Sequence, residues 1–306
     1  MSADPLIVNI KGNSLDDGPG IRSVVFFKGC PLNCSWCHNP ECISAKQEIF
    51  YDREKCIGCG CCIETCPEAA ISRDNPLYVD RESCSACLDC TGTCPAAALT
   101  AAGSRWEVEA AVKTILKDKP FFKNSGGGAT LSGGEPALHP SYTGSLLRAL
   151  KKEKIHTLVE TCGYFDFISF NKEILPHADT IYFDLKLIDP EAHKRFCGVS
   201  NELILNNLIR LHGLSHSGSF TLLPRIPLVP SITATKENLS AAACFLKRQG
   251  FTKASLLPYN PLWGEKLPCL GKTDPYPPSH HLRKWMSREE IVKCRELFTS
   301  QGLCLE

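Results

Sequence analysis

Short apolar runs rich in β-branched and aromatic residues recur along the chain, at Val24–Phe27, Ala129–Leu131, Thr157–Glu160, Thr180–Leu185, Phe220–Ile226 and Ala254–Leu257. Between and after them lie longer stretches whose apolar residues return every three to four positions: Glu107–Lys117, Ser141–Lys152, Asn201–Leu211, Lys236–Arg248 and Arg288–Phe298. The first kind of pattern predicts strands and the second amphipathic helices. Alternation of the two predicts an α/β fold, a parallel sheet with helices outside it. About six strands rather than eight predict a partial (β/α)6 barrel, with functional residues at the C-terminal ends of the strands.

Ahead of the second strand the chain turns to cysteine. Cys30, Cys34 and Cys37 put three thiolates within one short run directly after Val24–Phe27. A 4Fe-4S cluster takes one cysteine per iron, so three cysteines leave one iron open to a small molecule. A zinc knuckle is the competing reading, but structural zinc prefers two separated C-x2-C pairs. Two further runs, Cys56, Cys59, Cys62, Cys66-Pro67 and Cys84, Cys87, Cys90, Cys94-Pro95, form an internal repeat. Each has the C-x2-C-x2-C-x3-C-P spacing of bacterial ferredoxins, whose fourth cysteine crosses to the other cluster. The expected sets are therefore Cys56, Cys59, Cys62 and Cys94, and Cys84, Cys87, Cys90 and Cys66. Electron transfer is the use this implies, with a structural metal role as the alternative. The extra thiol of Cys61 reads as a non-ligand. If residues 44–102 are an inserted ferredoxin-like α+β domain, roughly 240 residues remain, close to the size of a barrel domain.

Composition and local pattern add several exclusions. Nineteen cysteines in 306 residues are too concentrated in cluster-type runs for a disulfide framework, which predicts a reducing, cytoplasmic setting. Thirty-four Lys plus Arg against 33 Asp plus Glu give no basic bias toward nucleic acid. The N-terminus lacks the pattern of a signal peptide, and no apolar run is long enough to span a membrane. No hydrolytic triad is recognisable.

The remaining chemistry gathers at predicted strand ends. Gly133-Gly134-Glu135-Pro136 places two glycines just past a strand, where the missing Cβ lets backbone approach a ligand, and lacks the Lys-Ser/Thr of a phosphate loop. The three-cysteine run with Trp36 before its last cysteine resembles the signature of the radical S-adenosylmethionine (SAM) superfamily. The Gly-Gly-Glu-Pro element is similar to the superfamily's segment that binds the SAM amino group. Asp16-Asp17-Gly18-Pro19-Gly20-Ile21-Arg22, Phe27-Lys28-Gly29-Cys30, Cys37-His38-Asn39-Pro40, Asp184-Leu185-Lys186 and Leu256-Leu257-Pro258-Tyr259 narrow the resemblance to the activating enzymes of glycyl radical enzymes. These pieces span most of the chain. The double-cluster segment points to the longer members rather than the short pyruvate formate-lyase activases.

That resemblance implies a radical SAM barrel split between residues 1–43 and 103–306, with residues 44–102 inserted. It implies three 4Fe-4S clusters, SAM and a monovalent cation as cofactors. Trp36, Gly133, Gly134 and Glu135 belong to the implied cofactor-binding set. Glu160 takes the place of an acidic residue near the SAM amino group, and Lys186 that of a partner for the SAM carboxylate. Asp184 and Thr161 stand where a cation or the methionyl end is held, and Arg225 matches an arginine facing SAM. Asn260 occupies the place of a histidine that contacts adenosine in short activases, which excludes acid-base chemistry there. His38 either tunes the cluster through hydrogen bonding or simply packs beside Cys37. No side chain is expected to act as acid, base or nucleophile. The implied reaction is reductive cleavage of SAM to methionine and a 5'-deoxyadenosyl radical, which takes hydrogen from a glycine Cα of the partner. The implied partners are a glycyl radical enzyme as substrate protein and a flavodoxin or ferredoxin as electron donor, with no nucleic acid and no membrane. Two other readings are a sulfatase-maturing type of radical SAM enzyme and a plain electron-transfer iron-sulfur protein. The first places its extra cysteines after the barrel, whereas Cys244, Cys269, Cys294 and Cys304 lack cluster spacing. The second needs neither the three-cysteine run nor Gly133-Gly134-Glu135. A small-molecule radical SAM oxidoreductase is the third alternative.

Overall fold

A computed structural model describes residues 4–277 and 279–306. Among the described residues eleven strands follow in chain order: β1 (Leu6–Ser14), β2 (Arg22–Phe27), β3 (Ile49–Tyr51), β4 (Leu99–Ala101), β5 (Ser104–Arg105), β6 (Gly128–Gly133), β7 (His156–Thr161), β8 (Thr180–Asp184), β9 (Thr221–Leu228), β10 (Lys253–Pro258) and β11 (Cys304–Leu305). Nine of them form one sheet in the order β11-β10-β9-β8-β7-β6-β2-β1-β5. From β2 to β10 every neighbouring pair is parallel. These six strands coincide with the six apolar runs. β2 carries Val24, Val25 and Phe27 fully buried, as expected of a parallel strand covered on both faces.

The sheet is nevertheless mixed, because β1 and β5 add antiparallel pairs at one edge, with Ile7 opposite Phe27 and Ser104 opposite Ile7. The five expected helices form over Val108–Ile115, Pro140–Lys152, Glu202–Ser215, Lys236–Arg248 and Arg288–Thr299. Their ends follow local chemistry. Thr235 accepts from the Asn238 amide, and Ser287 and Glu290 make a reciprocal capping box. Further helices occur at Lys119–Ser125 and Pro190–Cys197, and a π-helical turn at Phe170–Ile174. The main core lies between sheet and helices, while a second cluster containing Leu32, Trp36, Leu187 and Trp263 lies around the three-cysteine run.

Residues 44–102 hold a separate core of Ile49, Tyr51, Ile71, Val79 and Leu99 beneath the antiparallel pair β3 and β4. The repeat in sequence is a repeat in backbone. Gly60 and Leu88 each take a left-handed conformation and start a short helix, Cys61–Thr65 and Asp89–Thr93. Ala69 and Ala97 are left-handed at φ of 49° and 48°. The turns they make aim the Ala70 amide at the Cys66 sulfur and the Ala98 amide at the Cys94 sulfur, at 3.3 and 3.2 Å. Among the described residues no helix is long and apolar enough to cross a membrane.

Candidate functional site: a cysteine-lined cavity at the strand ends

The loop after β2 is fixed by backbone hydrogen bonds on both sides. The Cys30 amide donates to Ile43 O at 2.9 Å, while the Asn33 and Ser35 amides donate to Cys197 O and Phe196 O at 2.8 and 3.0 Å. The loop therefore rests on the end of the Pro190–Cys197 helix. There Gly198, at φ +88°, closes the last turn against Asn33. So held, Cys30, Cys34 and Cys37 line a cavity of about 290 Å³ at the C-terminal ends of the parallel strands. Trp36, Gly133, Gly134, Glu160, Thr161, Asp184, Lys186, Arg225 and Asn260 line the same cavity.

Glu135 is the exception. Its carboxylate is fully buried and turned inward, accepting from the Ala137 amide at 3.0 Å, the Thr161 hydroxyl at 2.9 Å and the Cys162 amide at 2.7 Å. It clamps the end of β7 to the end of β6. The two glycines before it meet backbone rather than empty space: a Cβ on Gly133 would sit 2.6 Å from the Phe27 nitrogen, and one on Gly134 2.0 Å from the Gly29 oxygen. Asn260 caps the following turn by accepting from the Leu262 amide at 3.0 Å.

Four charged groups close one wall. Arg225 donates to Glu160 at 2.6 Å and to Asp184 at 2.9 Å, and Lys186 meets Asp184 at 3.2 Å. Ser132 donates to the other Glu160 oxygen at 2.6 Å. The two acids balance the two bases, so burial is tolerated. Although burial opposes its charge, the Lys186 and Arg225 cations hold Asp184 below the usual carboxylate range. Lys186 is raised above its ordinary value despite burial, by Asp184 and by the thiols of Cys34, Cys162 and Cys197, and so stays an ammonium. On the opposite wall burial pushes the Cys37 thiol up to about 12. A hydrogen bond with the Cys162 thiol holds Cys30 below its ordinary value, while burial pushes Cys162 up. Cys34 pairs with Cys197, which also touches the His193 ring.

Sequence reasoning missed Ser132, Cys162, Cys197 and His193. Ser132 directly precedes the double glycine and was legible as a small polar residue at a strand end. The pairing of Cys162 and Cys197 with residues far away in sequence left no local signal. His38 lines the cavity, and burial lowers its pKa. Among the described residues no three His, Cys, Asp or Glu side chains converge tightly enough for a single metal ion. In the 44–102 segment Cys56, Cys59, Cys62 and Cys94 line one small cavity together with Tyr51 and Tyr78. Burial, and after it the neighbouring Cys84, Cys87, Cys66 and Cys62, push the Cys90 thiol up to about 11.

Residues 16–59 match the model of a 4Fe-4S single cluster domain, and residues 49–72 that of a 4Fe-4S binding domain. The trans-4-hydroxy-L-proline dehydratase activating enzyme of Clostridioides difficile is 42% identical, over 84% of this chain and 85% of that protein. The isethionate sulfite-lyase activating enzyme of Nitratidesulfovibrio vulgaris is 37% identical, over 87% and 88%. The indoleacetate decarboxylase activating enzyme of Tractidigestivibacter scatoligenes is also 37% identical, over 90% and 92%. Among solved structures, a domain of pyruvate-formate lyase-activating enzyme from Bacteroides vulgatus is 28% identical with a TM-score of 0.46, covering 59% of this chain and 98% of that one. With relatives of this identity aligned over most of both sequences, the chain belongs to the glycyl radical enzyme activating enzymes of the radical SAM superfamily.

Proposed function

We propose that this chain cleaves SAM reductively and abstracts hydrogen from a glycine of a partner glycyl radical enzyme. The observation that carries the reading is the cavity shared by three thiols, the Gly133-Gly134 strand end and the Glu160–Arg225–Asp184–Lys186 network. The donor set fits the cofactors. Three sulfurs from one loop suit three irons of a 4Fe-4S cluster, and the adjoining wall offers an ammonium and carboxylates for the two charged ends of a methionyl group. When bound there, cluster and SAM supply the electron and the deoxyadenosyl radical; the protein supplies orientation and exclusion of water. Lys186 is the partner for the SAM carboxylate, and Glu160 with the Gly133-Gly134 backbone the partner for its amino group. Arg225 holds Glu160 and Asp184 in place. Asp184 and Thr161 are the oxygens available to a monovalent cation. Trp36 and Asn260 flank the nucleoside end.

We read β2 and β6 to β10 as a partial barrel, and residues 44–102 as an inserted domain holding two more clusters on the crossed ligand sets. A groove of about 1020 Å³ adjoins the cavity and shares His38, Ser132, Glu160, Arg225 and Asn260 with it. Its outer walls are Asn9 and Lys11 of β1, Phe50 and Thr100 of the inserted segment, and Trp285. This is the route by which a partner's glycine loop reaches the cavity. The donor is a flavodoxin or ferredoxin, and the setting cytoplasmic, in keeping with nineteen free cysteines.

Anaerobic reconstitution tests the reading. Iron and sulfide should each approach about twelve per chain, and dithionite with SAM should release methionine and 5'-deoxyadenosine. Cys34→Ala leaves two ligands on the loop and should abolish that release; cleavage at the parent rate would sink the proposal.

A further inference from the structure

The two halves of the 44–102 segment repeat each other in cysteine spacing but differ in one aromatic position. Aligning Cys56 with Cys84 sets Tyr78 against Phe50. Phe50 lies in β3 and lines the groove. Tyr78 instead lines the cavity of Cys56, Cys59, Cys62 and Cys94, with its hydroxyl oxygen 3.2 Å from the Cys62 sulfur. We propose that Tyr78 donates an O–H···S hydrogen bond to Cys62 and so raises the reduction potential of the cluster held by that set, leaving the segment's other cluster unaffected. The inference rests on the two-cluster reading of the segment.

The direction of the bond follows from elementary chemistry. A cluster-ligating sulfur is a thiolate and has no proton to give, so the hydroxyl is the donor. Among the described residues that hydroxyl has no other protein partner, and no hydroxyl stands in the same relation to Cys90, the counterpart of Cys62. Backbone donors do not separate the two sets. The Ala98 amide serves Cys94 at 3.2 Å and the Ala70 amide serves Cys66 at 3.3 Å, one in each set. Tyr78 therefore breaks a symmetry that the backbone keeps. A donated hydrogen bond withdraws charge from the ligand sulfur and favours the reduced, more negative cluster.

The hydroxyl is aimed by a strained backbone. Tyr78 sits at φ of 65°, a left-handed conformation that is costly for a bulky residue. Its turn holds it there: its amide donates to Asn75 O at 2.8 Å, its carbonyl accepts from the Ser72 amide at 3.0 Å, and Ile71 pairs with Val79 across the turn. The ring is fixed as well, stacked on Tyr51 with centroids 4.3 Å apart and planes 16° from parallel. A phenyl ring would stack equally well. The fold thus has no need of the hydroxyl, and the strain that places it points to a role at the sulfur.

The test is a potentiometric titration of the fully reconstituted chain followed by electron paramagnetic resonance, in which added SAM identifies the signal of the Cys30, Cys34 and Cys37 cluster. Tyr78→Phe keeps the ring and removes only the donor. It should load iron as the parent does and move one SAM-insensitive midpoint to more negative potential, by up to about tenfold in the reduction equilibrium, about 59 mV for one electron. The other midpoints should stay in place. Cys56→Ser and Cys84→Ser, which each alter one ligand, assign the two SAM-insensitive signals, and the one that moves should be the one that Cys56→Ser alters. An unshifted midpoint, an equal shift of both segment signals, or a shift confined to the signal that Cys84→Ser alters overturns the inference. Failure of Tyr78→Phe to load that cluster makes the hydroxyl structural and overturns it too. Iron near about four per chain in the parent overturns the two-cluster reading itself, a separable result.

Discussion

Gly134 shows how much one residue carries at this site. A Cβ there would lie 2.0 Å from Gly29 O and 2.7 Å from Cys42 O, both backbone atoms of the loop that bears Cys30. Relief requires moving the loop itself. Gly134→Ala should therefore cost roughly 3 kcal/mol, the scale of overpacking against rigid backbone. A lower thermal midpoint in the apoprotein, before any cofactor is added, checks this. The same position was legible as a close-approach glycine, but what approaches it is the protein's own chain. Asp184 carries charge rather than shape. Asp184→Asn leaves Arg225 and Lys186 with Glu160 alone, so at pH 7 it should lose roughly 3 kcal/mol. The folded-state pKa of Asp184 lies below its unfolded value, so its contribution is complete above about pH 4 and fades as pH falls through the folded value. Thermal midpoints of parent and variant should be well separated at pH 7 and draw together only as pH falls below about 4. A constant gap would mean that the carboxylate's charge is not the source.

At the scale of elements, legibility follows how local the cause is. Six strands were readable because parallel strands buried on both faces must be apolar throughout, and Val24 to Phe27 meets that requirement within four residues. The Lys236–Arg248 helix was readable from its apolar spacing, and in the structure Thr235 caps its start. β1 was not, because its burial alternates weakly and a register shift interrupts its pairing with β2. The Phe170–Ile174 turn escaped for a related reason: a π-helix breaks the 3.6-residue period on which the reading depends. Within the site the same division holds. Cys30, Cys34 and Cys37 announce themselves by spacing, whereas Glu160, Asp184 and Lys186 were singled out only through the family resemblance, because a lone acid or lysine at a strand end is ordinarily solvated. Glu135 carried the same signal, yet its carboxylate faces inward because Thr161 and two amides offer it three donors. The partnership of Cys162 with Cys30 depends on β7 and the loop after β2 meeting in space, which no local pattern encodes.

At the scale of the molecule the question is what the 44–102 segment does for a cavity it does not line. It is tied to the cavity loop by few but buried contacts: Lys28, fully buried, donates to Glu41 O at 2.7 Å and to Glu48 at 2.6 Å. Arg81 reaches the opposite way, to Ile49 O at 2.5 Å and Cys269 O at 3.3 Å, and Lys266 joins the C-terminal segment to Glu41 at 2.8 Å. Cys59 and Cys87, one from each of the two proposed ligand sets, are exposed, while Cys62 and Cys90 are buried. Each set thus reaches from solvent to interior, the arrangement a conduit for electrons needs. Cys87→Ala removes a ligand from one set and leaves Cys30, Cys34 and Cys37 untouched. If the segment conducts, the variant should still bind SAM, should lose most cleavage driven by a reduced flavodoxin, and should keep more of it with dithionite, which reaches the cavity directly. Comparing the two rates in parent and variant decides the matter. An equal loss with both reductants, together with a lowered thermal midpoint, would assign the segment a structural role, with Lys28 and Arg81 as the anchors through which its unfolding reaches the cavity.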